Sequence, residues 1–362
     1  MRVVLLIDNL GSGGAQRQIT TLAKALILKG FNVTLVYYGN SEHMLYMLKE
    51  TNVSLAKVDY PNYKNSIVRF FSIQKMIWSV RPDVLISYLD MPNKLAGVYK
   101  FLNKNCYWIA SERNVNFGGG YQTLWRRFLF KLANAVVPNS YTQEKWLLDY
   151  NVVPKEKLKV IWNGVSEEFF QLYNRPIEKK NFFSMGRLSY QKNPELLMAA
   201  LNLLPSYVLN DEKFFWYGEE DPSALGSRQR LKEEVDNLAL PLFFEPAIDD
   251  AKKVYIKHDC LILTSRFEGM PNVVLEAMAS GVFVVATNIV DLPKIIGENE
   301  RGILYKSECP VSLSKAIQLY LEMSEDEILK IKKAAYEYAK ENFSTDILLR
   351  NYYNVINGNI NE

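Results

Sequence analysis

Residues 2–30 read RVVLLIDNLGSGGAQRQITTLAKALILKG, and their pattern sets the class of fold. Residues 2–7 form an apolar run of the length and composition of a strand buried on both faces. Gly11-Ser12-Gly13-Gly14 turns the chain, and over residues 16–29 Ile19, Leu22, Ala23 and Leu26 recur at helical spacing. Gly30 stands where helices end. The same alternation continues through apolar segments at 32–38, 83–88, 107–111, 135–138 and 158–161, giving about six strands. It then restarts, with a strand at 181–185, a glycine turn, a helix over 194–204, and strands at 213–217, 242–244, 260–264, 282–286 and 302–305. Buried strands separated by helices require parallel crossover connections. The expected fold is α/β, with two doubly wound Rossmann-like domains facing across a cleft. The first spans residues 1–168 and the second 169–344, joined near the polar stretch 167–180 that contains Pro176. No strand follows the helices at 325–342 and 345–357, so the terminal segment 345–362 is expected to fold back on the first domain.

Composition narrows the class further. With 362 residues, 48% hydrophobic and 23% charged, the chain has the make-up of an ordinary globular protein rather than a disordered or fibrous one. The three cysteines (Cys106, Cys260, Cys309) are too few and too odd in number for a disulfide scaffold, which points to a reducing cytoplasm. No secretory signal is read at the start, and no run of about 18 apolar residues would cross a bilayer. The net charge of +3 hides an asymmetry: residues 1–170 hold 21 Lys and Arg against 12 Asp and Glu, and the remainder 22 against 28. A basic half suits an anionic partner, be it nucleic acid, an acidic lipid surface or a phosphorylated acceptor; a plain scatter of surface charge would look the same.

The first glycine loop is not a dinucleotide fingerprint. Gln16 replaces the third glycine, and the second strand ends in Tyr37-Tyr38-Gly39-Asn40 with no acid for a ribose diol. It is compatible with a tight turn or with a loop whose N–H groups approach an anion. His43 and His258 stand at no metal spacing, and no D-x-D or G-x-S-x-G occurs. An enzyme with this inventory would handle charge with Arg, Lys and helix ends.

Two segments of the second domain supply them. In Met185-Gly186-Arg187-Leu188-Ser189-Tyr190-Gln191-Lys192-Asn193-Pro194, a strand ends at glycine and two cations occupy the loop before a helix opened by Pro194. This is suited to a diphosphate. Residues 265–281 read SRFEGMPNVVLEAMASG: a strand end, a turn at Gly269, and a helix beginning near Pro271 and closed by Gly281. Such a helix N-terminus favours phosphate oxygens by ~0.3–2 kcal/mol. Glu276, on an otherwise apolar helix, is either a ribose-diol acceptor or the one exposed acid of an amphipathic helix.

The spacing Glu268…Glu276, with GRLSYQKN at 186–193 and GSGGAQ at 11–16, resembles glycosyltransferase family 4 of the GT-B fold, of the type that builds bacterial surface polysaccharide and lipid-linked glycans. The resemblance spans both domains in order. It implies retaining, metal-independent transfer from a nucleotide sugar, with no cofactor. By position, Gly186, Arg187 and Lys192 would grip the diphosphate. Glu268, Gly269, Met270, Pro271, Asn272 and Val273 would face the donor sugar and its phosphates, and Glu276 the ribose. Gly13 and Gly14 would close over phosphates or acceptor. Arg187, Lys192, Glu268 and Arg113 are the catalytic candidates. The sequence departs from the family at Ser111-Glu112-Arg113-Asn114, where Arg113 stands in place of a frequent histidine. It departs also at Glu245-Pro246, beside the expected nucleobase, and at Trp162, where proline is frequent.

Two first-domain stretches mix cations with aromatic residues: 66–82, with Arg69, Lys75 and Trp78, and 121–131, with Trp125, Arg126 and Arg127. They suit either an anionic lipid headgroup layer, at ~1 kcal/mol per cation, or helices with one packed face and solvated charges. The expected function is transfer from UDP-N-acetylhexosamine or UDP-hexose to a polyprenyl-diphosphate-linked glycan, by a cytoplasmic protein on the inner membrane leaflet. The alternatives are a GDP-mannose-using transferase, a nucleotide-sugar epimerase, and a basic nucleic-acid-binding module that lacks any nucleic-acid signature.

Overall fold

A computed structural model of the chain describes residues 1–59, 66–113, 121–173, 181–209 and 212–358. The chain divides into two units, Met1–Gly164 with Phe343–Glu362, and Val165–Asn342. The first unit runs β1 (Arg2–Leu6), α1 (Gly14–Leu28), β2 (Asn32–Tyr37), β3 (Ser54–Lys57), α2 (Ser66–Val80), β4 (Val84–Tyr88), α3 (Asp90–Leu102), β5 (Tyr107–Glu112), α4 (Tyr121–Leu132), β6 (Ala135–Pro138) and α5 (Tyr141–Asp149). The sheet order is β3-β2-β1-β4-β5-β6, parallel throughout.

The apolar runs have a simple cause. Val3 and Leu5 enter the core on one face of the sheet, Val4 and Leu6 the core on the other. Successive side chains on a strand point to opposite faces, so a sheet covered by helices on both needs apolar residues at every position. One expected strand differs. Residues 158–161 make only an isolated bridge, Val136 to Leu158, and donate from Lys159 to Val136 and from Ile161 to Pro138 along the β6 edge. The sixth strand is β3, an edge strand whose exposed SLAK sequence carries no apolar run.

The second unit holds α6 (Glu167–Phe170), β7 (Asn181–Met185), α7 (Pro194–Leu201), α8 (Ser206–Leu209), β8 (Lys213–Tyr217), α9 (Ser227–Asn237), β9 (Leu242–Glu245), α10 (Lys252–Lys257), β10 (Cys260–Leu263), α11 (Asn272–Ala279), β11 (Phe283–Thr287), α12 (Leu292–Ile296), β12 (Ile303–Tyr305), α13 (Pro310–Glu322) and α14 (Glu325–Phe343). Its order, β12-β11-β10-β7-β8-β9, repeats the topology of the first sheet. In each sheet the order reverses beside the first strand, between β1 and β4 and between β7 and β10. Part of the 167–180 linker, including Pro176, lies outside the described residues. The three cysteines are free thiols, and among the described residues no helix is long and apolar enough to cross a membrane.

The last helix, α15 (Thr345–Ile356), belongs to the first unit and packs on α1. Its Leu348, Leu349, Tyr352, Val355 and Ile356 share one core with Ile19, Leu22 and Leu26. Gly164 allows the close fit: a Cβ there would meet Leu348 Cδ2 at 2.7 Å. The Gln18 amide closes the joint, donating to Gly164 O and accepting from Gly164 N, both at 2.8 Å. Burying five such side chains contributes on the order of 10 kcal/mol. A chain truncated after Asn342 should therefore lose the cooperative melting of its first unit and bind a hydrophobic dye. Circular-dichroism melts that match the full chain would contradict this.

Candidate active site

Ligands of doubly wound sheets bind beyond the carboxyl ends of the strands, at the reversal of strand order. At the β7 end, Gly186 adopts φ 156°, and its carbonyl accepts the indole N–H of Trp216 at 2.8 Å. Gly218, at the end of β8, has to be glycine because a Cβ would lie 2.0 Å from that same carbonyl. A Cβ on Gly186 would crowd the Lys192 stem at 3.0 Å, so this glycine lets the lysine lie back across the strand end. Asn193 takes the left-handed conformation (φ 58°, ψ 58°) that asparagine tolerates, and Pro194 opens α7.

The β10 loop meets this one directly. The Lys192 ammonium donates to Glu268 Oε1 at 2.5 Å, and Ser265 Oγ donates to the same oxygen at 2.7 Å. Glu268 is 7% exposed, so the ion pair is largely shielded from water. Three further bonds to backbone carbonyls fasten the two loops: Arg266 N–H to Gln191 O (2.8 Å), Thr264 Oγ1 to Lys192 O (2.7 Å) and Gln191 Nε2 to Phe267 O (2.9 Å). Arg187 differs in kind. Its side chain is 61% exposed and holds Asp221 Oδ2 at 3.0 Å, an ion pair of the solvent-exposed sort that costs little to exchange for another anion.

Helix α11 starts at Asn272, with Pro271 as its extended N-cap, one residue past the expected opening. Met270 and Pro271 are buried, while Gly269, Asn272 and Val273 are half-buried at the helix entrance. Glu276 is not an exposed acid: it is 4% exposed and accepts from Tyr255 OH at 2.8 Å. Among the described residues no three or more His, Cys, Asp or Glu gather into a group that could hold a metal ion.

In the first unit, Gly13 is the N-cap of α1 and Gly14 its first residue, both exposed. Arg113, a catalytic candidate by position, is 6% exposed and hydrogen-bonded to the protein's own oxygens. Its guanidinium donates to Ser111 Oγ (2.8 Å), Asn163 Oδ1 (2.6 Å), Tyr88 OH (2.7 Å) and Tyr352 OH (2.7 Å), and lies 4.3 Å from the Tyr88 ring centroid. Burial pushes the Tyr88 hydroxyl well above its ordinary range, so the ring stays protonated. Arg113 thus ties α15 to the ends of β4 and β5; its neighbour Asn114 lies outside the described residues.

Two of the basic surface candidates have partners within the first unit. Arg126 is 8% exposed and pairs with Asp90 (3.3 Å) and Glu112 (3.6 Å). Arg127 donates from Nε to the Tyr150 carbonyl at 2.9 Å, where α5 ends. Lys75, Trp78 and Trp125 are exposed, and Arg69 is half-buried.

Two family models match the chain: Glycosyltransferase Family 4 over residues 12–169 and Glycosyl transferases group 1 over 165–341. The chain belongs to glycosyltransferase family 4. It is 26% identical over 331 residues, covering 89% of both chains, to a Campylobacter jejuni enzyme named as the N-acetyl-D-galactosaminyltransferase that extends GalNAc-alpha-(1->4)-GalNAc-alpha-(1->3)-diNAcBac-PP-undecaprenol. A second enzyme of that organism, named N-acetylgalactosamine-N,N'-diacetylbacillosaminyl-diphospho-undecaprenol 4-alpha-N-acetylgalactosaminyltransferase, is 26% identical over 360 residues, 93% of both chains. Among solved structures, a Rickettsia africae glycosyltransferase superposes with a TM-score of 0.83 at 20% identity, covering 98% of this chain and 97% of its own. Anabaena HepE, solved with UDP and glucose, gives 0.84 at 16% identity over 99% of each chain. The fold of this glycosyltransferase is therefore that of the GT-B enzymes.

Within the glycosyltransferase, the structure brings Gly186, Lys192 and Glu268 together and sets Arg187 on the same loop. Glu276 is held separately by Tyr255 from α10. Gln191 and Ser265 lie inside the two quoted motifs but carried no assigned role there, and sequence reading missed Gly218, Asp221 and Tyr255, of which Gly218 left a trace as a glycine after a strand. For Lys192→Met, Glu268→Gln and the double variant, urea denaturation should give a coupling energy of about 1–3 kcal/mol. Arg113→Lys, whose single ammonium cannot replace a planar fork on four acceptors, should cost about 2 kcal/mol of stability. An unchanged urea midpoint would refute that structural role.

Proposed function

We propose that this glycosyltransferase moves a sugar, with retention of configuration and without a metal ion, from a UDP-N-acetylhexosamine or UDP-hexose to a polyprenyl-diphosphate-linked glycan. The observation that carries the donor half is the joined pair of loops at the carboxyl end of the second sheet. There the Lys192 ammonium, which has three N–H bonds and gives one to Glu268, shares a loop with the exposed Arg187 and stands across from the entrance of α11. In this reading the departing nucleoside diphosphate gathers negative charge against these two cations and the first N–H groups of α11, a fixed electrostatic site that needs no reorganisation during the reaction. Glu268 keeps Lys192 in place and faces the donor sugar, while Glu276 takes the ribose hydroxyls on the oxygen not given to Tyr255. UDP as the nucleotide is favoured by its presence in HepE.

The acceptor half rests on the names of the two Campylobacter enzymes, both of which act on undecaprenol-diphosphate-linked sugars. The first unit has a surface suited to such a substrate. Neighbouring helices α2, α3 and α4 expose Phe71, Trp78, Phe101, Trp125 and Phe128, with Lys75 among them. Aromatic and basic side chains on one helical layer match the headgroup zone of an anionic leaflet, where the glycosyltransferase would work as a peripheral protein.

Arg187→Ala, an exposed change that leaves the fold intact, and Lys192→Ala should each lower kcat by about 10²–10³-fold. Turnover should persist after dialysis against EDTA, and proton NMR of the product should show the anomeric configuration of the donor. Loss of turnover on chelation would overturn the metal-independent mechanism. Release of UDP only when acceptor is present separates transfer from epimerisation.

A further inference from the structure

A site that draws a nucleoside diphosphate to two cations and a helix entrance must also give that diphosphate up, because UDP has to leave before the next turnover. The loop after β8 holds a group placed for this task. Its sequence, Gly218-Glu219-Glu220-Asp221, sets three carboxylates in a row. Two of them bond elsewhere: Glu219 accepts from the Ala247 N–H at 3.0 Å, and Glu220 from the Arg228 N–H at 2.7 Å. Asp221 reaches across to the loop after β7, where its Oδ2 lies 3.0 Å from Arg187 Nη1.

The two partners are held differently. Asp221 is fixed from its own side, since Ser223 N–H and Ser223 Oγ donate to Oδ1 at 3.0 and 2.6 Å. Its side chain is 19% exposed against 61% for Arg187. The Ser223 donors, joined by the Arg187 charge, hold the Asp221 carboxyl below its ordinary range, so it is ionised at neutral pH. The backbone beside Arg187 is pinned to the same loop. Leu188 N–H donates to Glu219 O at 2.8 Å, Asp221 N–H donates to Leu188 O at 3.2 Å, and the buried Leu188 makes a parallel bridge with Glu220. A long side chain on so short a tether can turn to another anion and still find Asp221 again. The acid waits in place, and the cation moves.

Charge gives the sign of the effect. Asp221 and a diphosphate are two anions drawing on one guanidinium, so the attraction that Arg187 gives one is withdrawn from the other. An exposed ion pair is weak, which lets the nucleotide in while leaving a standing pull toward release. Lys192, in its shielded pair with Glu268, has no such freedom. We infer that Asp221 reclaims Arg187 as the nucleotide departs, and so sets how fast UDP leaves the site. This inference rests on the proposed function and adds to it the residue that limits product retention.

The test uses the full-length protein and UDP, with Kd from titration calorimetry and the dissociation rate from a stopped-flow chase. Asp221→Asn, which keeps an oxygen for Ser223, should lower the UDP Kd about 2–5-fold, the worth of an exposed ion pair. Most of the change should lie in a slower dissociation rate, and the gap should narrow in about 0.5 M salt. Asp221→Glu, which keeps the charge, should stay near wild type. In Arg187→Ala, adding Asp221→Asn should leave the UDP Kd where the single variant puts it. An unchanged or raised UDP Kd in Asp221→Asn overturns the inference; a raised one makes Asp221 a support that orients Arg187 for the diphosphate. A tightening that persists without Arg187 overturns it as direct repulsion of the ligand, and one shared by Asp221→Glu overturns it as a change of loop geometry. A wild-type protein that binds no UDP, or an Arg187→Ala variant that binds it equally well, is a separate result: the proposed function falls and takes the inference with it.

Discussion

The ion pair between Lys192 and Glu268, 2.5 Å long and shielded from water, is the contact on which the second unit's site depends. Each partner alone would be an under-solvated charge at the end of a parallel sheet. Together they fasten the β7 loop to the β10 loop at the reversal of strand order, where a doubly wound sheet leaves an opening. A shielded pair is an uncertain source of stability, since desolvation offsets much of the attraction. What it secures is geometry: the ammonium stays beside Gly186 with N–H bonds still to give, at a place fixed by two backbone-tethered loops. Arg187 is the opposite case. Exposed and paired with Asp221, it can leave its partner for an incoming anion at small cost.

The two sheets share one strand order, yet their carboxyl ends differ in charge. The second presents cations beside a helix entrance; the first presents a glycine loop around a carboxylate, Asp8. Repeated topology therefore does not mean repeated chemistry. The differences come from single residues in loops whose backbone is set by glycines. At Gly218 a neighbouring backbone carbonyl leaves no room for a Cβ, whereas at Gly13 the nearest atom is the movable tip of the Gln16 side chain.

Three arginines show that a basic stretch of sequence does not name the partners of its cations. Arg113, Arg126 and Arg127 all lie in segments that read as basic and ligand-facing. In the folded protein Arg113 bonds two tyrosines, a serine and an asparagine, Arg126 pairs with two carboxylates, and Arg127 serves a helix-end carbonyl. Part of the first unit's excess positive charge is thus spent on its own oxygens. An arginine's partner is decided by which distant residues arrive beside it; for Arg113 that includes Tyr352, which is 239 positions away.

The class of fold was legible in the chain because a sheet covered on both faces demands unbroken apolar runs, and those runs mark eleven of the twelve strands. Strand β3 escaped because an edge strand half in water needs no such run, and 158–161 imitated one because its buried Leu158 and Ile161 run along the β6 edge with a single bridge. The glycine loops and the motifs at 186–193 and 265–281 were legible as well, since turns at strand ends constrain residue type locally. Which groups meet was not. The pairing of Lys192 with Glu268 and the capture of Glu276 by Tyr255 both join residues from separate elements. Burial and long-range contact are properties of the packed chain, and only the tertiary structure decides them.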